Sequence, residues 1–180
     1  MKGIIFRSLE ELVVENLGMG AWNALLDEHS PDHRSYVSAV SYPDEELFAL
    51  ANGVATKMAL PLPEVLGVFG RFLFGSLAAK HPTVLAELDT FEKLILAIDS
   101  VIHVEVAKLY DEPNLPQIDA KIVNDSEIVV EYRSPRKLCF CAEGLIYGAA
   151  DHYNKQIEIS HTSCMHNEDD HCHFVVTMLS

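Results

Sequence analysis

Positive charge is scarce in this sequence: 13 Lys and Arg stand against 27 Asp and Glu, a formal net charge of −14. A field of that sign repels nucleic-acid backbones and anionic membrane surfaces, so no nucleic acid and no membrane is expected as a partner. A small neutral ligand, or a protein with a basic face, suits it better. Long apolar runs are missing as well, since no uninterrupted stretch approaches the roughly 20 residues that span a bilayer. The opening Met-Lys-Gly-Ile-Ile-Phe meets Arg7, Glu10 and Glu11 at once, which does not read as a secretory signal. The expectation is a cytoplasmic protein. Cysteine is limited to Cys139, Cys141, Cys164 and Cys172. In a reducing compartment these are expected as thiols or metal ligands, not as structural disulfides. No repeat, low-complexity tract or long linker divides the chain.

What is present is ordinary globular material: 180 residues, 49% hydrophobic and 22% charged, enough to bury a real core. One domain over 1–180 is expected, with a helical part over about 1–60. Further helices and a sheet are expected over about 61–180. Leu9, Leu12, Val13 and Leu17 recur at helical spacing and stop near Gly18 and Gly20. Asp44 to Met58 predicts a second helix. Pro63 opens a third, which runs through Gly70 and Phe74 towards Leu77. Thr90 to Tyr110 is the most regular segment, with Phe91, Leu94, Ile95, Ile98, Ile102 and Leu109 on one face and Pro113 and Pro116 closing it. Then the pattern changes. Ala120 to Val123, Ile128 to Tyr132 and Lys137 to Cys141 predict strands, Gly144 to Tyr153 a helix, and Gln156 to His161 and His173 to Met178 two further strands. Helices followed by a mostly antiparallel sheet define an α+β fold.

Two features of this pattern carry chemistry. His103 sits well round the helical wheel from the main apolar face, where a histidine would normally be solvated. Leu96, Ala107 and Tyr110 share its side, giving a second, narrower apolar strip. Imidazole is a standard axial ligand of haem iron, but an ordinary half-buried histidine fits the same pattern. Tyr132-Arg133-Ser134-Pro135-Arg136 would, on a strand, set a phenol, a hydroxyl and a guanidinium on one face, converging on an anion such as paired carboxylates. The plainer account is an exposed edge strand, which Pro135 suits because it cannot donate to a ladder.

His103, Pro116 thirteen residues later, and Tyr132-x-Ser134-x-Arg136 together resemble the signature of the haem nitric oxide/oxygen-binding (H-NOX) family. The resemblance runs from Met1-Lys-Gly through Val54 and Gly70 to Gly144-Leu145-Ile146. It implies haem b, held by His103 as the proximal ligand, with Tyr132, Ser134 and Arg136 on the propionates and Pro116 against the porphyrin. Ile5, Leu9, Leu73, Phe74, Leu77, Cys141 and Leu145 would line the distal side, although all would also serve as plain core. A hydrogen-bond donor beside the ligand favours oxygen far more than nitric oxide or carbon monoxide. Oxygen-holding members have a distal tyrosine where this chain has Cys141, a weak donor at best. The resemblance therefore implies a nitric oxide sensor that also takes carbon monoxide, excludes oxygen and performs no catalysis. Stand-alone members of this bacterial kind signal to a separate histidine kinase or cyclic-di-nucleotide enzyme, and such a partner is expected here.

A third constellation lies near the C-terminus: His161, Cys164, Met165-His166 and His171-Cys172-His173. Zinc takes four nitrogen or sulfur ligands tetrahedrally, and His161, Cys164 and Cys172 with Cys139 would supply them. On a strand, Cys139 and Cys141 would point to one side, so geometry alone would not separate them; with Cys141 facing haem, Cys139 could share its side only nearer the edge or across a local bulge. A thiol redox switch and inert side chains remain open alternatives. A zinc or thiol redox sensor without haem is the competing function. Glu168-Asp169-Asp170 reads as a polar turn between strands, not a calcium loop.

Overall fold

The computed structural model describes residues 1–30, 33–109 and 114–179. Its α+β architecture is an N-terminal helical bundle followed by a four-stranded antiparallel sheet with helices packed on it. The bundle contains α1 (Gly3–Leu17), α2 (Met19–His29) and α3 (Asp44–Met58). α1 buries Phe6, Leu9, Leu12 and Val13, a stripe at helical spacing. Gly18, at φ 84°, turns the chain sharply between α1 and α2. The sequence reading stops the first helix there correctly but misses α2, because Gly20 was counted as punctuation and lies inside the new helix.

The third helix begins one residue earlier than expected, as α4 (Leu62–Lys80), with proline in its first turn. Among the described residues it is the one helix long and apolar enough to cross a bilayer. Several of its apolar residues pack inside the protein, while Val68 is exposed. Val65, Leu66, Phe69 and Leu73 enter the bundle core, and Phe74 and Leu77 line a cavity. α4 lies hard against α8 (Cys139–His152). A Cβ at Gly70 would fall on the Cys141 carbonyl, and one at Gly144 on the Gly67 carbonyl. Glycine at both positions lets the backbones touch.

A short helix not foreseen from the sequence, α5 (Pro82–Glu87), follows α4. The regular segment after Thr90 is then broken into α6 (Phe91–Ala97), a π turn over Ile98–Ile102, and α7 (His103–Leu109). The Thr90 hydroxyl caps α6 by accepting from Lys93 N–H at 3.2 Å. Tyr110 and Pro113, assigned from sequence to the end of this segment, lie outside the described residues, as does the side chain of Leu109.

The sheet holds β1 (Gln117–Asn124), β2 (Glu127–Arg133), β3 (Gln156–Ser163) and β4 (Cys172–Leu179) in the order β1-β2-β4-β3. Every pairing is antiparallel. Its inner face carries Ile128, Val130, Tyr132, Phe174 and Val176, which pack with Phe91, Leu94, Ile95 and Ile146 into a second core. The strand expected over Lys137 to Cys141 does not exist: Lys137 has a left-handed backbone and Cys139 opens α8. Leu138, Phe140 and Ala142 alternate with their neighbours over too short a stretch to separate a period of two from the first turn of a helix.

Candidate functional site

A cavity of about 690 Å³ lies where the two cores meet. That size suits a bound organic ligand. α1, α3, α4 and α8 wall one side, while α6, the π turn, α7 and the sheet wall the other. All twelve residues assigned to haem contacts from the resemblance line it: Ile5, Leu9, Leu73, Phe74, Leu77, His103, Pro116, Tyr132, Ser134, Arg136, Cys141 and Leu145. The lining is otherwise mostly apolar, with Lys2, Ser41, His81, Glu105 and Asn114 as further polar residues. The sequence reading left no second histidine at the pocket. His81 is one, exposed beside the C-terminal end of α4.

His103 reaches this cavity by a route the helical wheel did not show. Leu96 and Ala107, expected to share a buried strip with it, are exposed. In the π turn, His103 N–H bonds to the Ile98 carbonyl, five residues back instead of four. One residue is thereby inserted into the turn, and each residue rotates a helix by about 100°. That phase shift brings His103 round to the side of Ile98, Ile102 and Val106, which line the same cavity. His103 Nδ1 meets Asp99 Oδ1 at 3.1 Å, leaving Nε2 as the other nitrogen. Asp99 was missed from the sequence, although an acid four residues before a histidine on a helix is a visible signal.

Tyr132, Ser134 and Arg136 also converge, but not from one strand. β2 ends at Arg133, and Ser134 to Lys137 form a turn closed by Lys137 N–H to the Ser134 carbonyl at 3.1 Å. β2 lies between β1 and β4, so the edge-strand account fails too. Pro135 stands beyond the ladder, where no donor is needed. Tyr132 is buried, and burial pushes its phenol up to about 12, keeping it a neutral donor at ordinary pH. Its oxygen accepts from Leu138 N–H at 3.1 Å, which joins the end of β2 to the start of α8. Arg136 donates from Nε to Asp44 Oδ2 at 2.5 Å and from Nη1 to the Asn114 carbonyl. Asp44, at the start of α3, also takes the Met1 ammonium at 2.6 Å. Neither Asp44 nor Asn114 carried a sequence signal, because their partners are remote in the chain.

Cys139 and Cys141 separate for a helical reason. Two residues on a helix stand about 200° apart, whereas on a strand they would share a face. Cys141 lines the cavity, and burial pushes its thiol up to about 12. Cys139 points the other way, with its Sγ 3.8 Å from that of Cys164, which lies 4.0 Å from that of Cys172. His161 completes the group, and the four ligand atoms lie within 4.8 Å of one another. A tetrahedral zinc with bonds to sulfur of about 2.3 Å sets its sulfurs about 3.8 Å apart, so the spacing fits the ion. His161 Nε2 is buried without a hydrogen-bond partner, as a nitrogen aimed at a metal would be. Burial raises Cys139 and Cys172 above the ordinary thiol range; the neighbouring sulfurs add to it at Cys139, while at Cys172 the Met165 N–H and the Cys139 thiol oppose it and Cys164 adds to it. The polar turn at Glu168 to Asp170 braces the cluster, since Asp169 accepts from Cys164 N–H at 2.7 Å.

The fit to haem rests on the same kind of observation. Two imidazoles, His103 and the exposed His81, line a mostly apolar cavity, and neutral and cationic donors gather beside Arg136. That donor set matches an iron porphyrin with its carboxylates.

Residues 2–161 match the Haem-NO-binding family. The chain therefore belongs to that family, whose role is haem-based gas sensing. It is similar to an H-NOX protein from Shewanella oneidensis, solved in the Fe(II)NO ligation state. The two are 47% identical with a TM-score of 0.97, and the match covers 100% of both chains. It is also similar to the H-NOX of Shewanella woodyi, solved bound to IWP-051 in the Fe(II)CO ligation state. Identity there is 31% and the TM-score 0.86, over 99% of this chain and 95% of that one. An unliganded Fe(II) H-NOX protein from K. algicida, 21% identical with a TM-score of 0.87 over 100% and 97% of the two chains, shares the fold. No curated protein matches the chain.

Proposed function

We propose that the 180 residues form one sensing domain for nitric oxide, with haem b in the central cavity, His103 as its iron ligand and zinc in the thiol cluster. The observation that carries this reading is the convergence on one cavity of the π-turned His103 and the Tyr132-Ser134-Arg136 donors, which come from separate elements. Bound haem would supply an iron position open to a diatomic gas. Asp99 would orient the His103 ring by holding Nδ1, so that Nε2 is the ligating nitrogen. Tyr132, Ser134 and Arg136 would donate to the two propionates, and Pro116 would press on the porphyrin face. Solved relatives carry Fe(II)NO and Fe(II)CO, which supports ferrous haem and these two gases here.

Selectivity follows from the distal wall. Ile5, Leu9, Leu73, Phe74, Leu77 and Leu145 offer no hydrogen-bond donor, and Cys141 only a weak one that stays protonated. Oxygen depends on such a donor far more than nitric oxide or carbon monoxide does, so the pocket would exclude it. The output would be a change in how α7 and the N-terminal helices sit against the sheet, read by a separate histidine kinase or cyclic-di-nucleotide enzyme in the cytoplasm. In this reading the domain acts as a sensor, as its family members generally do, and performs no catalysis. A thiol redox sensor remains the second reading, favoured by three sulfurs already in near contact.

The test is an anaerobic absorption spectrum of the reduced, haem-supplied protein, before and after nitric oxide, with His103→Gly beside it. A ferrous Soret band that shifts with nitric oxide and ignores air-level oxygen is expected. His103→Gly should lose haem and regain it when imidazole is added. A stable complex with oxygen in air would defeat the selectivity, and no Soret band at all would defeat the haem reading. Bound zinc, measured in the same samples, should fall on Cys164→Ala or Cys172→Ala. Unchanged stoichiometry would remove those residues from the site.

A further inference from the structure

The His161 side chain is largely buried and its ring meets two aromatic rings and a carboxylate. The edges of Phe140 and Phe174 meet it, with ring centroids 5.9 and 4.7 Å away. Its Nδ1 lies 2.5 Å from Glu143 Oε1, the two side chains being only 16% and 22% exposed. His161 Nε2 and Glu143 Oε1 are both buried with no hydrogen bond among the described residues, so the ion-pair approach to Nδ1 is the contact that this oxygen makes. Glu143 comes from α8, four residues after Cys139, so one face of one helix presents both a thiol and a carboxylate to β3.

We propose that Glu143 positions His161 as the nitrogen ligand of the thiol cluster, by holding the Nδ1 proton and turning the Nε2 lone pair towards the three sulfurs. The proposal rests on the zinc reading above and adds a residue to it. A neutral imidazole has one donor and one acceptor nitrogen. A carboxylate against Nδ1 keeps the proton there, so the acceptor is the nitrogen left facing Cys139, Cys164 and Cys172. The same contact stops the ring from flipping, which would otherwise present Nδ1 or a carbon to the metal. A histidine ligand backed by a carboxylate is a stronger donor and is ordered before the ion arrives. If Glu143 only tied α8 to β3, it would matter equally with and without metal.

The experiment uses the whole chain, compares Glu143→Ala and Glu143→Gln with wild type, and measures zinc affinity by competition with a chromophoric chelator. Cobalt(II) replaces zinc in a parallel set, and its visible bands report the ligand set. Glu143→Ala is expected to weaken zinc binding about 10–100-fold, the usual effect of removing such a partner. Its cobalt bands should shift away from those of the three-sulfur, one-nitrogen site. Glu143→Gln still accepts from Nδ1 and should recover most of the affinity. The zinc-free unfolding midpoint of this variant should stay with wild type, which separates positioning from bracing. Wild-type affinity in Glu143→Ala would overturn the proposal. If that variant does not fold, Glu143→Gln decides alone: affinity near wild type supports positioning, and a full loss overturns it. A wild-type protein that takes up no zinc, or takes it up independently of His161 and Cys164, overturns the zinc reading and this proposal together.

Discussion

Arg136 and Asp44 are 92 residues apart, and their ion pair ties α3 of the bundle to the turn after β2. Burial would raise the Asp44 carboxyl, but the Arg136 guanidinium and the Met1 ammonium outweigh it and hold Asp44 below the usual carboxylate range. A depressed folded-state value contributes stability that is present above the unfolded value, near 4, and lost as pH falls through the folded one. Asp44→Ala should therefore cost roughly 1–3 kcal/mol in neutral urea denaturation, between the ranges for exposed and buried pairs. The difference from wild type should shrink below about pH 4. A neutral-pH cost within about 0.5 kcal/mol would show that the pair adds nothing. At this scale the sequence was informative wherever residue type mattered more than neighbours. The family resemblance, not residue pattern alone, marked His103, Tyr132, Ser134 and Arg136 as expected ligand and donors, and all four line the cavity. Asp44, Asn114 and Glu143 were not marked, because a carboxylate or amide on a helix or loop is unremarkable until its partner is known.

The element that matters most is the π turn at Ile98–Ile102, and nothing in the periodicity announced it. A wheel drawn at a constant 100° per residue put His103 off the core face and required a second apolar strip to explain it. The strip is solvent-exposed at Leu96 and Ala107, and the inserted residue does the work assigned to it. Deleting Ser100 should restore an unbroken α-helix and rotate His103 by about 100° out of the cavity. The expected result is loss of haem uptake with the far-UV circular dichroism of a folded protein. Undiminished uptake would show that the phase of this turn does not position His103. The start of α8 gives the complementary case. Its first turn was read as a strand, yet the helix is what sends Cys141 and Cys139 to different places.

For the whole molecule, the decisive feature is that two hydrophobic cores share one cavity. Trp22, the single tryptophan, lies in the bundle core, while Phe174 anchors the core under the sheet. A ligand that fills the space between them binds only the folded arrangement and so stabilises it. Haem-loaded protein should unfold in one transition whether followed by Trp22 fluorescence or by far-UV circular dichroism. Haem-free protein should unfold at a lower temperature, with the two signals separating. Coincident signals without haem would show that the cavity does not divide the fold.

By itself the sequence determined the α+β class with helices first and an antiparallel sheet after, most of the core faces of the elements it revealed, and the side chains able to act as ligands. These depend on residue type and short-range spacing, which a linear chain carries openly. Only the tertiary structure decided that the π turn brings His103 to the cavity with Nδ1 against Asp99, how the two cysteines of α8 part company, and which carboxylates hold Arg136 and His161. Those outcomes turn on helix phase and on contacts between residues far apart in the chain, and neither is written in local pattern.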